Sequence, residues 1–457
     1  VEVHVIAEPE KIKFIKEEFI ERCYHDKSQA DFKCGDKLLE QIWQTGIETY
    51  RACAEDALID NPTRERGQWT GDVIGIGMDI GSIAYPDIRL CRRGLIQCAQ
   101  CAREDGLVAG LCPGGCAYLS TYSLYWVSGC LHYWQLTGDR MLLEELFDPA
   151  QRNMAAFEKF ITKDGLTDGL GWVFVDWGYK RNTGPVDMAY NLCYIAALRD
   201  MQRWCKILNR IDLAQHYNKL EKQITTIAKK WFDKNLVSGK KGWKTIGYHS
   251  AAFGLRLDFF SGNTERQCIE YLKEHILSCF PNDPGAPRNS DPAVSSSRLI
   301  TPYFAHYAFP ALIEREEMDF VLDQYKKCWG WMLEDGRTTW IEVFDTRWSH
   351  CHLWAGCPTW QLSRYCLGLR PRYDLGERHF ELVFFPGSLK KCEGSLPLPN
   401  ENGFIKVKWR KKGDGIHYQL VTPVPIYLHL SAENTGSVPK TVKIDDKFAQ
   451  ILCKTEQ

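Results

Sequence analysis

The sequence predicts a mainly α protein, with a large core of stacked helical hairpins followed by a small antiparallel β domain. Three observations carry this. Apolar residues recur at three- and four-residue steps through most of residues 36–370, which is the helical period. The breaks between these stretches are short and carry turn chemistry, so successive helices are antiparallel neighbours. After Pro371 the apolar period changes to two, the period of a strand. With 457 residues the chain has material for roughly two to four domains of ~100–200 residues.

Taken in order, residues 1–30 form an N-terminal segment whose alternating start, VEVHVIA, reads as the last strand of a β domain that precedes it. The helical domain is expected over 31–370. Its first helix shows in Leu39, Ile42, Trp43, Ile47 and Tyr50, and further stripes follow at 89–103, 122–136, 141–161, 186–208, 213–232, 264–279 and 316–333. TGD at 137–139 and NRID at 209–212 close two of them. Two longer loops, 105–115 and 282–297, are rich in Gly, Pro and Ser and belong at the rim of the core. From 371 to 457 a β-sandwich domain is expected, because residues 403–430 alternate in segments broken by Gly-Asp-Gly and by Pro, the pattern of a hairpin.

Composition narrows the function classes. Lys plus Arg is 57 against 58 for Asp plus Glu, a net charge of −1, so no global field gathers nucleic acid or an anionic membrane, and neither is expected as a partner. No apolar run reaches the ~18 residues of a membrane span. The start of the chain lacks a basic stretch followed by an apolar one, and the sequon at Asn61 is blocked by Pro62, so a cytoplasmic location is expected. The 19 cysteines are odd in number and scattered, which suits free buried thiols better than a disulfide framework. Cys98, Cys101, Cys112 and Cys116 have the paired spacing of a zinc site. The first pair, however, lies in an amphipathic helical stretch where small thiols pack well, so packing is the preferred reading and no metal is expected.

The densest polar constellation is DNPTRERGQWTGD, from Asp60 to Asp72. It combines carboxylates (Asp60, Glu65, Asp72), guanidiniums (Arg64, Arg66) and the indole of Trp69. A pyranose presents apolar C–H faces and a ring of hydroxyls, so an aromatic platform beside charged hydrogen-bonding groups suits it. A solvated loop with an ordinary ion-paired Glu65 would look similar. The second constellation, TTWIEVFDTRWSHCHLWAGCP at 338–358, supplies Glu342, Asp345, four aromatics, His350 and His352. Two sequence-distant carboxylates in aromatic loops are the minimum a glycosidase needs, one to protonate the leaving oxygen and one to act on water or on the anomeric carbon. The competing reading is a helix start whose indoles fill core space.

These two motifs, with YSLYWVSGCLHYWQLTGD at 122–139 and FVDWG at 174–178, resemble the bacterial-type α-L-rhamnosidases of glycoside hydrolase family 78 over about residues 30–457. The resemblance implies an (α/α)6 barrel of six helical hairpins with a C-terminal β-sandwich. It implies an exo-acting, inverting hydrolase that releases terminal α-L-rhamnose from glycosides or polysaccharides without a cofactor. Glu65 would be the general acid and Glu342 the general base. Asp60, Arg64 and Asp72 would bind rhamnose hydroxyls, Trp69, Trp126 and Trp177 would line the apolar side of the sugar, and Asp176 and His352 would complete the pocket. Family members commonly carry Trp before the base where this chain has Ile341, which leaves Asp345 as a second candidate.

Two physical expectations follow from that assignment. Glu65 must keep its proton near neutral pH, so the guanidiniums of Arg64 and Arg66 should point at the sugar or at other carboxylates. Inversion requires ~6.5–9.5 Å between the acid and base carboxyl groups, with room for water. A barrel that binds carbohydrate without cleaving it, or one that hydrolyses another terminal sugar, are the alternatives.

Overall fold

The computed structural model describes residues 20–182, 186–289, 298–412 and 415–430, together with 4, 6–13, 15, 16, 18, 442–445 and 449–453. The chain builds helical hairpins in sequence. Helix α1 (Lys37–Ala52) starts where the Asp36 carboxylate accepts from the Leu38 and Leu39 amides. A wide π-type turn, Thr70–Ile76, then runs into α2 (Gly77–Ala84). It is followed by α3 (Arg89–Gln100), α4 (Ser120–Thr137), α5 (Arg140–Glu145) and α6 (Phe147–Glu158). Next come α7 (Met188–Ile207), α8 (Ile211–Leu236), α9 (Lys240–Ile246), α10 (Tyr248–Arg256) and α11 (Gly262–Leu277). The series ends with α12 (Ala305–Ile313), α13 (Met318–Gln324), α14 (Gly330–Leu333) and α15 (Cys357–Gln361).

Burial sorts these helices into two rings. Every residue of α2, α12 and α15 is buried, and α10 is nearly so, whereas α3, α8 and α11 bury a single stripe. Helices apolar all round belong inside and amphipathic ones outside. Because outer and inner helices alternate, the segments leading into the inner ring gather at one end. Those segments contain residues singled out above: 60–72 before α2 and 340–352 before α15.

The expected stripes correspond to helices with two changes. The stripe at 141–161 is split at Leu146, and that at 316–333 is interrupted by a π-type turn, Tyr325–Trp329. The second rim loop is described only to residue 289, so its part at 290–297 lies outside the described residues.

The β region pairs β1 (Asp31–Lys33), β6 (Lys391–Pro397), β7 (Phe404–Lys412), β8 (Gly415–Val421) and β10 (Val442–Asp445) in one sheet. The second sheet holds β4 (Leu369–Pro371), β5 (His379–Leu382), β9 (Ile426–Leu430) and β11 (Ala449–Cys453), while β2 (Ile161–Thr162) and β3 (Gly165–Leu166) form a separate ribbon. Pairing is antiparallel through β1-β6-β7-β8 and in β4-β5, with parallel joins at β8-β10, β5-β9 and β9-β11. The hairpin expected near 413–415 is present, since Lys412 faces Gly415, although Gly413 and Asp414 lie outside the described residues. Because Asp31 pairs with Ser395, residues 31–33 belong to the β region, and the helical domain begins after them. Of the strand expected in VEVHVIA, residues 1–3 and 5 lie outside the described residues. The sheet is fixed to the last helical turn by Trp409 Nε1 donating to the Cys366 carbonyl (2.7 Å) and the Tyr418 hydroxyl donating to that of Leu367 (2.5 Å).

Candidate active site

The 60–72 segment folds back on itself. The Asp60 amide donates to the Gly67 carbonyl (2.9 Å), and the Gly67 amide returns to Asp60 Oδ1 (2.7 Å). Asn61 Oδ1 accepts from the Thr63 (3.2 Å) and Arg64 (2.6 Å) amides, an Asx turn that places Arg64 and Glu65 at the tip. Two glycines are required by close approach: a Cβ at Gly67 would lie 2.7 Å from Trp69 Nε1, and one at Gly71 would lie 2.5 Å from the Tyr122 ring. Trp69 Nε1 donates to Glu65 Oε2 (2.9 Å), tying the indole to the carboxylate.

The 340–352 segment closes in the same way. The Glu342 amide donates to the Ser349 carbonyl (2.9 Å), the His352 amide to that of Trp340 (2.8 Å), and Trp354 Nε1 to that of Glu342 (2.6 Å). The Leu353 amide donates to the Asp60 carbonyl (2.8 Å), so the two segments share a backbone seam.

Across that seam the polar side chains meet. Arg64 Nη2 donates to Glu342 Oε2 (2.7 Å), its Nη1 to Glu65 Oε1, and its Nε to Ser349 Oγ (2.9 Å). His352 Nε2 lies 3.7 Å from Asp60 Oδ2 and 4.0 Å from Glu342 Oε1, and its ring packs on Trp354 at 4.4 Å. Burial, with the Arg64 charge adding, holds His352 neutral well below the usual imidazole range, so these contacts are not ion pairs. Its Nδ1 is buried without a hydrogen-bond partner.

The electrostatics differ from the expectation in one respect. Arg64 does not turn away from Glu65 but pairs with it, because the Asx turn aims Arg64 toward Ser349 and Glu342, and Glu65 lies on that path. Arg66 turns outward at φ 52° and pairs with Glu55 (3.2 Å), as expected. Burial pushes the Asp60 carboxyl up to about 7, with the neighbouring Glu65 charge adding to it. Burial also raises Asp72 well above the carboxylate range, against the hydrogen bond from the Tyr122 hydroxyl that lowers it. Glu342 is raised by burial and lowered by Arg64. The second candidate base, Asp345, is committed to Arg347, whose Nε donates to it at 2.8 Å and which holds it below the usual carboxylate range.

Three further residues complete or correct the expected pocket. Trp177 is half-buried and packs on Phe174 (4.9 Å) and on Trp348 of the Glu342 segment (5.9 Å), which places it at the site. Asp176 is buried with both oxygens engaged, Oδ2 by His249 Nε2 (2.8 Å) and Oδ1 by Thr301 Oγ1 (2.6 Å), so it braces the Trp177 loop instead of presenting a free oxygen to a sugar. Trp126 does not line the pocket. It is fully buried one turn below Tyr122, its Nε1 donates to the Leu95 carbonyl (2.9 Å), and it packs on Trp204 at 6.3 Å.

Tyr122, Ser349, His249 and Thr301 were not singled out as site residues from sequence. Ser349 lies inside the 338–358 segment and Tyr122 opens the 122–139 stretch, whereas His249 and Thr301 stand in stretches with no polar clustering.

The cysteines from Cys23 to Cys392 are free. Cys98 and Cys112 approach to 3.5 Å between sulfurs, yet among the described residues no group of three or more His, Cys, Asp or Glu side chains is arranged to hold a metal ion.

Residues 27–364 match the family model described as the bacterial α-L-rhamnosidase six-hairpin glycosidase domain. Among solved structures, a glycoside hydrolase family 78 rhamnosidase of Bacillus sp. GL1 superposes with a TM-score of 0.76 at 20% identity, covering 94% of this chain and 44% of that one. The α-L-rhamnosidase of Dictyoglumus thermophilum gives 0.68 at 18% identity over 88% and 45%. A rhamnosidase from Klebsiella oxytoca with rhamnose bound gives 0.58 at 21% identity over 75% and 65%. At these identities the likeness is one of fold, and the chain spans less than two thirds of each relative's length. No curated protein sequence matches the chain significantly.

Proposed function

The chain belongs to the family of bacterial α-L-rhamnosidase six-hairpin glycosidase domains, and from that premise we propose that it is an exo-acting, inverting hydrolase that releases terminal, non-reducing α-L-rhamnose from glycosides or polysaccharides. One observation carries this reading. Glu65 and Glu342, far apart in sequence, meet at the two terminal nitrogens of a single guanidinium, that of Arg64.

In this mechanism Glu65 protonates the glycosidic oxygen while Glu342 removes a proton from the water that attacks the opposite face of the sugar. The burial of Glu342 disfavours its charged form and raises its pKa, and the Arg64 charge opposes that rise, favouring the carboxylate that acts as base. Burial raises both Asp60 and Asp72. Asp72, whose Oδ1 accepts from Tyr122, keeps its other oxygen for a sugar hydroxyl, whereas Asp60 accepts from the Gly67 amide (2.7 Å) and Asn61 Nδ2 (2.9 Å) and braces the tip that carries Arg64 and Glu65. Neutral His352 borders the same space. Trp69 and Trp177 supply apolar surface for the C–H face and methyl group of rhamnose. Sugar hydroxyls that bind the guanidinium draw Arg64 off Glu65 and leave its carboxyl free to face the glycosidic oxygen.

The test is release of p-nitrophenol from p-nitrophenyl α-L-rhamnoside by the purified chain. Release is expected from the rhamnoside and not from the corresponding glucoside. Intact rhamnose binding without release would make the barrel a binding module.

A further inference from the structure

A groove of about 1170 Å³ opens beside the loop that carries Trp177, between Gly178–Asn182, α9, α11 and Arg298. It exceeds the roughly 300–1,000 Å³ that encloses a drug-sized ligand, so it has room for more than one sugar ring. It starts one residue beyond Trp177, which packs on Trp348 of the Glu342 segment (5.9 Å), and it shares His249 with Asp176 (2.8 Å). A glycan whose terminal sugar sits between Glu65 and Glu342 therefore has this groove adjacent to it.

The groove is basic in a chain whose net charge is −1. Some of its cations are neutralised already: Arg181 by Asp168 and Asp187, Lys240 by Glu274 (3.7 Å), and Arg298 by Asp283 (2.6 Å). Its other acid, Glu270, pairs with Lys273 (3.2 Å). Lys180, Lys244 and Arg266 remain exposed at its wall, with no ion-pair partner among the described residues. In the groove lining, Trp243 stacks on Tyr271 and keeps its Nε1, a buried donor, without a hydrogen-bond partner. The charges left unpaired at the wall are thus all cations, which suits an acidic ligand.

We propose that the groove binds an acidic glycan, with a carboxylate or sulfate ester on the sugars next to rhamnose paired to Lys180, Lys244 and Arg266. Terminal rhamnose carried on uronate-containing or sulfated chains is then the preferred substrate. The substrate claim rests on the rhamnosidase reading, whereas the binding claim stands apart from it.

The experiment is calorimetric titration of the whole chain with three oligosaccharides: a rhamnose–glucuronate oligosaccharide, its carboxyl-reduced neutral counterpart, and a sulfated rhamnose oligosaccharide. At least one acidic ligand should bind about tenfold or more tighter than the neutral one, as expected for a few screened ion pairs. Which acidic ligand shows the gain identifies the anion. The Lys180→Ala/Lys244→Ala/Arg266→Ala variant should lose that preference while cleaving p-nitrophenyl α-L-rhamnoside at the wild-type rate. Equal binding of acidic and neutral ligands, or a preference that survives in the variant, overturns the proposal. If the acidic preference holds but the wild-type chain does not cleave the rhamnoside, the groove stands and the rhamnosidase reading falls.

Discussion

Arg64 donates to Glu342 Oε2 at 2.7 Å and, through its other terminal nitrogen, to Glu65, so one side chain holds both candidate catalytic carboxylates. For Glu342 the consequence is one of sign. Burial raises its pKa and Arg64 lowers it, so removing Arg64 lets it rise further. A base must be ionised to act, and Arg64→Ala should therefore move the acid limb of the kcat/KM profile to higher pH and lower kcat about tenfold or more. Arg64→Lys should not restore the profile, because an ammonium does not reproduce the fork that meets two carboxylates at once. A pH–rate profile of both variants checks this.

Glu65→Gln and Glu342→Gln should each lower kcat by about 10²- to 10⁴-fold, the usual contribution of a positioned acid or base. Thermal melting should show both variants folded. Asp345→Asn should retain most activity, because Asp345 is committed to Arg347.

Asp60 makes stability depend on pH. Its folded pKa of about 7 lies above the ordinary aspartate value of 3.8, so the folded state holds its proton more tightly. The favourable contribution is complete at pH values below the unfolded pKa and is lost as pH rises to 7 and beyond, where a buried charge must be formed. Asp60→Asn, which keeps an oxygen for the Gly67 amide, should raise Tm relative to wild type at pH 8 and have a smaller effect at pH 5. Activity should fall in the same variant, since its amide nitrogen would face Asn61 Nδ2, which donates to Asp60 Oδ2 (2.9 Å), and would disturb the turn that places Arg64 and Glu65.

Trp126 and Trp177 should respond in opposite ways. Trp126→Ala empties a fully buried site and should cost about 3–5 kcal/mol of stability. A milder Trp126→Phe variant should lower Tm while leaving KM unchanged. Trp177→Ala should raise KM severalfold for the rhamnoside. Urea unfolding beside steady-state kinetics separates the two effects.

The contrast between these tryptophans also shows what was legible in the sequence. The loop 60–72 and the segment 338–358 concentrate unlike chemistries in short stretches, and their residues do converge. Trp126 was misplaced because α4 is buried on most of its surface, so no polar face marks its orientation. Tyr122 reaches Asp72 at the end of the helix, and Trp126, one turn or ~5.4 Å further along, is already in the core. Helices α10, α12 and α15 gave no stripe for the same reason. Asp176 read as a pocket acid because its partners, His249 and Thr301, are brought to it only by the closure of the helical rings. The pairing of β1 with β6 joins residues at opposite ends of the chain, and no local pattern reports it.

The central claim is that Glu65 and Glu342 act as an inverting acid and base on α-L-rhamnosides. Proton NMR of the first product released from p-nitrophenyl α-L-rhamnoside, recorded before mutarotation, tests it most directly. The account predicts β-L-rhamnose as the initial product, with the α anomer appearing only as the sugar equilibrates. Initial release of α-L-rhamnose would contradict it and would make one of the two carboxylates a nucleophile.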